Sequence, residues 1–392
     1  VHIETFQLSS IMDADRFGDL STFVRHTAFI IPHKSEPVDT LLTILRYLPA
    51  DSPRIVVTNC APEMLPQLTY ELCGRTTSRG PTYLVHQKDE RVAYFFRECG
   101  VLHILDAGGT VVDGKGEGMY LGTILAALLG IAHWVVYFDA DNYAPSALLE
   151  YTLAMGQLFT QPADAYPLSP LSPLSPLSPL RRRQRPRGYP EHAPLHNVRI
   201  CWASKPAYDG ETFVPQPPIL GRCTQVIAPL CDELLRMWQP QCPQRLLAPN
   251  AGEQGMTMAT AMALRFSSGF SIETFQLLEL AFTGVRRAGL QQAGGPSSAL
   301  LQQYLSGSPH LHEKKDEAHI RGMIAESLGS FLAFRRHLPP QLRARIATLA
   351  RELDLRLASA VTYPAIGRLQ LARHGDFPAH FLLGARVEDV SA

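Results

Sequence analysis

The sequence predicts an α/β fold, a mainly parallel β-sheet flanked by helices, followed by a helical C-terminal region. Two patterns lead there. From about residue 28 to 145, short apolar runs rich in β-branched and aromatic residues alternate with amphipathic stretches. Strand–helix alternation of this kind implies a parallel sheet covered on both faces. From Glu317 onward, apolar residues recur at helical spacing with no strand signal between them.

Taken in order, Ala28–Ile31 and Arg54–Thr58 read as buried strands, each closed by a polar turn. Between them Val38, Leu41, Leu42, Leu45 and Leu48 fall on one helical face, with Pro37 at the start. Thr82–Val85 is a third strand and Trp134–Phe138 a fourth, separated by the Leu/Ala-rich helical run Gly118–Gly130. Val198–Trp202 reads as a further strand and Gln225–Met237 as a helix. Ile320, Met323, Ile324 and Leu328 begin the helical end, and Gln341–Ala358 repeats that pattern with its arginines on a solvated face. The string Ile-Glu-Thr-Phe-Gln-Leu occurs at Ile3–Leu8 and again at Ile272–Leu277, without any wider periodicity.

One segment breaks the pattern. Pro167–Leu180 repeats Pro-Leu-Ser and leads into Arg181, Arg182, Arg183, Arg185 and Arg187. Such a tract favours extended, polyproline-like structure, and it reads as a disordered surface loop. Docking of a proline-recognising domain or an acidic partner is the sharper alternative. The chain then divides into an N-terminal extension (1–27), a nucleotide-binding α/β part (28–163), the loop (164–190), a second part (191–335) and the helical end (336–392).

At 392 residues and 46% hydrophobic composition, the chain can bury a sizeable core. Lys+Arg and Asp+Glu both number 36, so no global charge favours nucleic acid. Seven scattered cysteines without a Cys-x-x-Cys pair argue against a disulfide framework and a thiolate zinc site, and fit a reducing, cytoplasmic setting. Neither an 18-residue apolar run nor a secretory leader is visible, so no membrane association is expected. Oligomeric state is not written in the sequence, which leaves a homodimer open.

Chemistry concentrates after the strands, where open α/β sheets bind their ligands. In His133–Tyr143 an apolar strand ends in Asp139-Ala140-Asp141, two carboxylates able to turn toward one point. Paired hard oxygens suit Mg²⁺ or Mn²⁺, with positions left for water and phosphate. An ordinary polar turn is the plainer reading. Upstream, Gly114-Lys115-Gly116-Glu117-Gly118 opens a helix whose free amides and lysine could meet a phosphate, although it is not a Walker A loop. Pro32, Lys34 and Glu36 follow the first strand and Asn59 the second. Gly221-Arg222-Cys223-Thr224 combines a close-approach glycine, a guanidinium fork and a hydroxyl, chemistry suited to phosphate or carboxylate. His310 or His312 could add an imidazole to the metal.

Together these stretches resemble the mannosyl-3-phosphoglycerate synthases, retaining enzymes of glycosyltransferase family 55. The likeness runs from about residue 28 to 335, outside the proline-rich loop. It rests on His86–Asp89, His103–Asp106, Gly114–Met119, Asp139–Tyr143, Asn250–Glu253, Phe266–Gly269 and Pro309–Glu313, in that order. The resemblance implies a GT-A-type fold and transfer of mannose from GDP-mannose to 3-phosphoglycerate. It implies nucleotide contacts from Pro32, Lys34, Glu36, Asn59, Lys115 and Asp139, and a metal held by Asp139, Asp141 and one of His310 and His312. Gly221, Arg222, Thr224 and Asn250 would serve the acceptor, with Glu253 near the sugar. Cys223, Cys60, Ser146 and Gln254 depart from the usual Val, Ser, Gly and His, and none of these changes removes a metal ligand or a phosphate-site charge.

A retaining transfer by double displacement needs a carboxylate opposite the leaving group, and Glu253 is the one candidate among the motifs. Front-side attack, resting on the metal and Lys115, is the preferred expectation. A related hexosyltransferase, such as a glucosyl-3-phosphoglycerate synthase, and a non-catalytic scaffold of the same fold are the alternatives.

Overall fold

A computed structural model describes residues 2–7, 19–75, 78–130, 132–160, 195–202, 207–208, 211, 213–214, 221–238, 244–290, 299–313 and 315–383. The Pro/Leu/Ser and Arg loop, 164–190, lies outside the described residues, as does Cys242.

The strands are β1 (His2–Gln7), β2 (Thr27–His33), β3 (Arg54–Thr58), β4 (Thr82–His86), β5 (Trp134–Tyr137), β6 (Leu195–Cys201) and β7 (Ala207–Tyr208). After them come β8 (Phe213–Val214), β9 (Gln254–Thr257), β10 (Phe266–Ser267), β11 (Ala299–Leu305), β12 (His312–Glu313), β13 (Thr362–Tyr363) and β14 (Leu382–Leu383). The helices are α1 (Leu20–Arg25), α2 (Val38–Tyr47), α3 (Leu65–Arg75), α4 (Glu90–Glu98), α5 (Lys115–Leu129) and α6 (Ala147–Thr160). The later ones are α7 (Arg222–Trp238), α8 (Met258–Ala263), α9 (Ser271–Leu290), α10 (Glu317–Ala333) and α11 (Pro340–Glu352).

Nine of these strands form one sheet in the order β1-β11-β6-β9-β5-β2-β3-β4-β14. The expected mainly parallel, helix-flanked α/β architecture is what the chain adopts. β5, β2, β3 and β4 run parallel, as do β1, β11 and β6, while β9 runs antiparallel between β5 and β6. All five residues of β3 and all but one of β2 are buried, because helices cover both faces. On one face α4 and α5 bring Phe96, Tyr120, Ile124 and Leu125 onto Ile30, Val57 and Tyr137. On the other, α1, α2, α3 and α6 pack Phe23, Leu41, Leu45, Leu68 and Met155 against Phe29, Val56 and Val136. A third cluster joins α7, α9, α10 and α11 through Ile227, Phe275, Leu328 and Ile346. α5 is buried from Gly116 to Ala126, so its weak amphipathicity reflects a helix inside the core.

The sequence-read strands fall within a residue or two of β2, β3, β4 and β5. The N-terminal 27 residues contain β1, which extends the sheet beside β11 and pairs His2 with Leu300. The helical end holds for α11 but stops at Glu352, short of Ala358. Beyond it the chain returns through 3-10 turns to β14, which pairs antiparallel with β4. The six described cysteines form no disulfide, and no helix among the described residues is long and apolar enough to cross a membrane.

Candidate active site

The carboxyl ends of β2, β3 and β5 open into a cleft of about 520 Å³. Its wall includes Pro32, Lys34, Glu36, Asn59, Lys115, Asp139, Asp141, Gly221, Arg222, Thr224, Asn250, His310 and His312. Residues spread over more than half of the sequence thus meet in one place, where the strand-end rule put them.

At the β2–β3 end the chain fixes its own turn. His33 is buried; Nδ1 lies 2.9 Å from Thr58 Oγ1 and Nε2 3.1 Å from the Glu36 carbonyl. Burial lowers its pKa, so the ring is neutral and Nε2–H donates to that carbonyl. Lys34 and Asn59 both reach Asp113, Lys34 at 2.8 Å. Asp113, just before the glycine-rich stretch, is a cleft residue that sequence reasoning passed over.

The glycine-rich stretch works differently from its expected role. The Gly116 amide donates to the Gly269 carbonyl at 3.0 Å, and the Gly118 amide to Gly114 at 3.2 Å. A Cβ on Gly116 would lie 2.0 Å from the Ser267 carbonyl oxygen, so the glycine is needed for close packing against β10. The Gly116 amide is thus occupied, and Lys115 lines the cleft. Its ammonium bonds Asp139, and bonds Glu273 of α9 at 2.6 Å. Burial alone would lower its pKa, but those two carboxylates outweigh it and hold it above the ordinary lysine range. Glu273 carried no sequence signal.

Asp139 and Asp141 follow β5, with Ala140 buried between them and Asn142 Oδ1 accepting from the Ala144 amide at 2.9 Å. The Tyr143 amide donates to the Leu311 carbonyl at 2.7 Å, which ties this turn to the loop carrying His310. Glu150 of α6 holds the base of that loop, accepting from Tyr304 Oη at 2.8 Å and from the Gly307 amide at 2.7 Å. As a result, one ligand atom each from Asp139, Asp141 and His310 lies within 4.8 Å of the others. His310 Nε2 is 3.8 Å from Asp141 Oδ1. His312 is buried in the cleft wall, its ring centroid 5.7 Å from that of His310, and stands outside this three-residue group.

Charge around these residues is lopsided. Asp139, Asp141, Glu253 and Glu273 share this corner with Lys115, with Lys315, whose Nζ is 3.1 Å from Asp141, and with the buried Arg199 guanidinium beside Glu273. Burial and the carboxylates of Glu253, Asp141 and Glu273 push Asp139 up to about 6 despite the Lys115 ammonium. Two oxygen ligands, one imidazole and an excess of negative charge suit a divalent cation. Gly252 leaves room for the carboxylate, since a Cβ there would sit 2.1 Å from Asp139 Oδ2.

Across the cleft, Gly221 and Arg222 begin α7. Arg222 donates to Glu317 at 3.1 Å and to the Lys315 carbonyl at 3.0 Å. Thr224 is buried one turn on, and Asn250 Nδ2 is shared between Thr274 Oγ1 at 2.8 Å and Ser327 Oγ at 2.9 Å. The 248–250 turn is braced by Arg199, fully buried, which donates to the Pro249 and Glu273 carbonyls at 2.7 and 2.8 Å. Glu253, expected near the sugar, is fully buried and forms no part of the cleft wall. Lys315, Trp202, His319 and Phe270 line the cleft and were not anticipated as site residues.

An α/β sheet that gathers two aspartates, a histidine and a lysine at its carboxyl edge, opposite an arginine at a helix start, is the frame of a glycosyltransferase. The chain belongs to the mannosyl-3-phosphoglycerate synthase family, whose profile matches residues 5–373. The mannosyl-3-phosphoglycerate synthase of Aeropyrum pernix is 27% identical over 329 residues, covering 82% of this chain and 76% of the relative. That of Pyrococcus furiosus is 27% identical over 311 residues, 77% of this chain and 70% of the relative. Among solved structures, mannosyl-3-phosphoglycerate synthase from Rubrobacter xylanophilus aligns with a TM-score of 0.49 at 13% identity, covering 93% of this chain and 95% of that one. Glucosyl-3-phosphoglycerate synthase from Mycobacterium tuberculosis, in complex with Mn²⁺, UDP-glucose and phosphoglyceric acid, aligns with a TM-score of 0.47 at 14% identity, covering 88% and 92%.

Proposed function

We propose that the protein transfers mannose from GDP-mannose to 3-phosphoglycerate with retention of configuration, releasing GDP. The observation that carries this reading is the placement of Asp139, Asp141 and His310 between Lys115 on one side and Arg222 on the other, within one cleft. Family membership points to the substrate class, and the residues gathered in the cleft support a division into donor and acceptor ends.

On this reading Pro32, Lys34, Glu36 and Asn59 receive the nucleotide, and Lys115 faces the diphosphate. Asp139, Asp141 and His310 hold Mg²⁺ or Mn²⁺, with His310 preferred over His312 because its ring nitrogen falls within the ligand group. When bound, the ion neutralises charge developing on the departing diphosphate. Lys115 is kept protonated by its carboxylate neighbours and adds a fixed positive charge to the same end. Gly221, Arg222 and Thr224 hold the acceptor's phosphate, with the guanidinium as a planar fork. Asn250 completes the acceptor end.

Glu253, the carboxylate that double displacement would use, is buried behind Trp202 and His310 and lies outside the cleft wall, which supports front-side attack. In that route the acceptor hydroxyl is deprotonated by an oxygen of the leaving group, and catalysis rests on positioning. The test is a product assay with GDP-mannose and 3-phosphoglycerate, with and without chelator, beside a panel of GDP-glucose and UDP-glucose. Chelator-sensitive formation of GDP and mannosyl-3-phosphoglycerate is expected. A preference for UDP-glucose, or no turnover with any donor, would overturn the reading.

A further inference from the structure

Glu253 is an unusual group to find where it is. Its side chain is fully buried at the amino end of β9, and its two oxygens point to two different rings. Oε2 accepts from Trp202 Nε1–H at 2.9 Å. Oε1 lies 3.0 Å from Nδ1 of His310, itself 1% exposed. The Trp202 ring packs against the imidazole with centroids 5.0 Å apart and planes 38° apart. The backbone is fixed as well, since the Ile200 amide donates to the Glu253 carbonyl at 3.1 Å.

A buried carboxylate needs strong donors, and one of its oxygens is served by the tryptophan. The other, Oε1, and the Nδ1 that faces it at 3.0 Å are both buried and make no aligned hydrogen bond as they stand, and a proton on Nδ1 serves both once the ring turns into line. A proton on Nδ1 leaves Nε2 as the lone-pair side, and Nε2 is the atom turned toward Asp141, 3.8 Å away. A carboxylate behind a metal-binding imidazole in this way selects the tautomer and orients the ring.

We infer that Glu253 is a positioning residue that acts through His310, holding its imidazole with Nε2 presented to the divalent ion, and that Trp202 holds Glu253 in turn. This differs from a sugar-contacting or nucleophilic role for the same carboxylate. It rests on the metal reading of Asp139, Asp141 and His310 proposed above.

The test uses Mn²⁺ alone, titrated into full-length protein without nucleotide and followed by the electron paramagnetic resonance signal of free ion. Wild type, Glu253→Gln, Glu253→Ala and Asp141→Asn are compared, with circular dichroism to verify folding. Glu253→Ala should weaken Mn²⁺ binding by about 10- to 100-fold. Glu253→Gln should weaken it less, because an amide oxygen can still accept from Nδ1–H; if the alanine variant does not fold, the glutamine variant decides. In turnover assays the Mn²⁺ concentration for half-maximal rate should rise by the same factor, with kcat at saturating Mn²⁺ much less affected. Unchanged Mn²⁺ affinity alongside a fall in kcat would place Glu253 at the sugar and overturn the inference. Absence of Mn²⁺ binding to wild type would overturn it too, while the chelator-free product assay judges the transferase reading separately.

Discussion

The two walls of the cleft are assembled in different ways. On the proposed nucleotide side the polar groups lie at strand ends: His33 closing β2 and Lys34 after it, Asn59 after β3, Asp139 and Asp141 after β5. Each is placed by a few residues of local chain leaving a rigid ladder. On the acceptor side Arg222, Thr224, Glu273, Lys315 and His319 come from α7, α9 and α10 or just before them, and they converge because those helices pack on one another. The first wall is a consequence of topology and the second of tertiary packing. Substitutions on the two walls should therefore fail in different ways.

The largest effect is expected where the walls meet. Asp141→Asn should lower kcat by about 10³-fold or more, since metal stabilisation of a departing phosphate amounts to several kcal/mol. Steady-state kinetics at saturating substrates reads this directly, and near-normal turnover would remove the metal from the reaction. On the nucleotide wall, Lys115→Met leaves the half-buried Asp139 and the buried Glu273 without their shared cation. A loss of about 3 kcal/mol in urea denaturation, along with activity, is expected; retained stability would mean the ion triad is weaker than its geometry suggests.

Arg222→Gln probes the opposite wall, where the ion pair with Glu317 is exposed and contributes little to folding. Stability should hold while KM for 3-phosphoglycerate rises by about 10- to 100-fold, the range of a lost charged hydrogen bond. A rise in donor KM instead would break the division between the walls. A residue in neither wall sets the smallest effect. His196 on β6 is bonded to Gln302 and pushed down to about 4, chiefly by burial. The unfolded chain takes up that proton first, so this group's stabilising contribution is full above about pH 6.5 and is lost as pH falls toward 4. His196→Gln should flatten that limb of a stability-versus-pH curve by up to about 2 kcal/mol; an unchanged limb would show that the ring titrates normally.

The same contrast decides what could be read from the sequence. Strands β2 to β5 were legible because burial on both faces leaves a continuous apolar signature. β1 was not, and the reason is instructive. Residues Ile3–Gln7 sit in β1, while the same five residues at Ile272–Gln276 lie inside α9. Identical local propensity yields strand or helix according to what it packs against, so no window of sequence could separate them. Asp139 and Asp141 stood out because a strand ends there. Glu273 lies within that ambiguous string, and Lys315 lies in the stretch just before α10, so neither had a local pattern to mark it. Arg222 and the His310/His312 pair were marked by their residue chemistry, Glu253 only through family resemblance, and the buried position of Glu253 behind His310 was visible only in three dimensions.

β9 runs antiparallel beside β5, with Gln254 opposite Tyr137, so the amino end of one strand meets the carboxyl end of the other. That ladder, together with β6 on the other side of β9, brings Gly252 and Glu253 to Asp139. The entropy of closing the connection between such strands grows only with the logarithm of its length, about 0.6 kcal/mol for each doubling. A long Pro/Leu/Ser and Arg insertion at 164–190 can therefore enter or leave this connection during evolution at little thermodynamic cost to the metal-binding corner. A one-residue slip in the ladder would turn every side chain of β9 to the opposite face. In this protein the length of the 164–190 stretch is cheap to change, and the register of β9 is not.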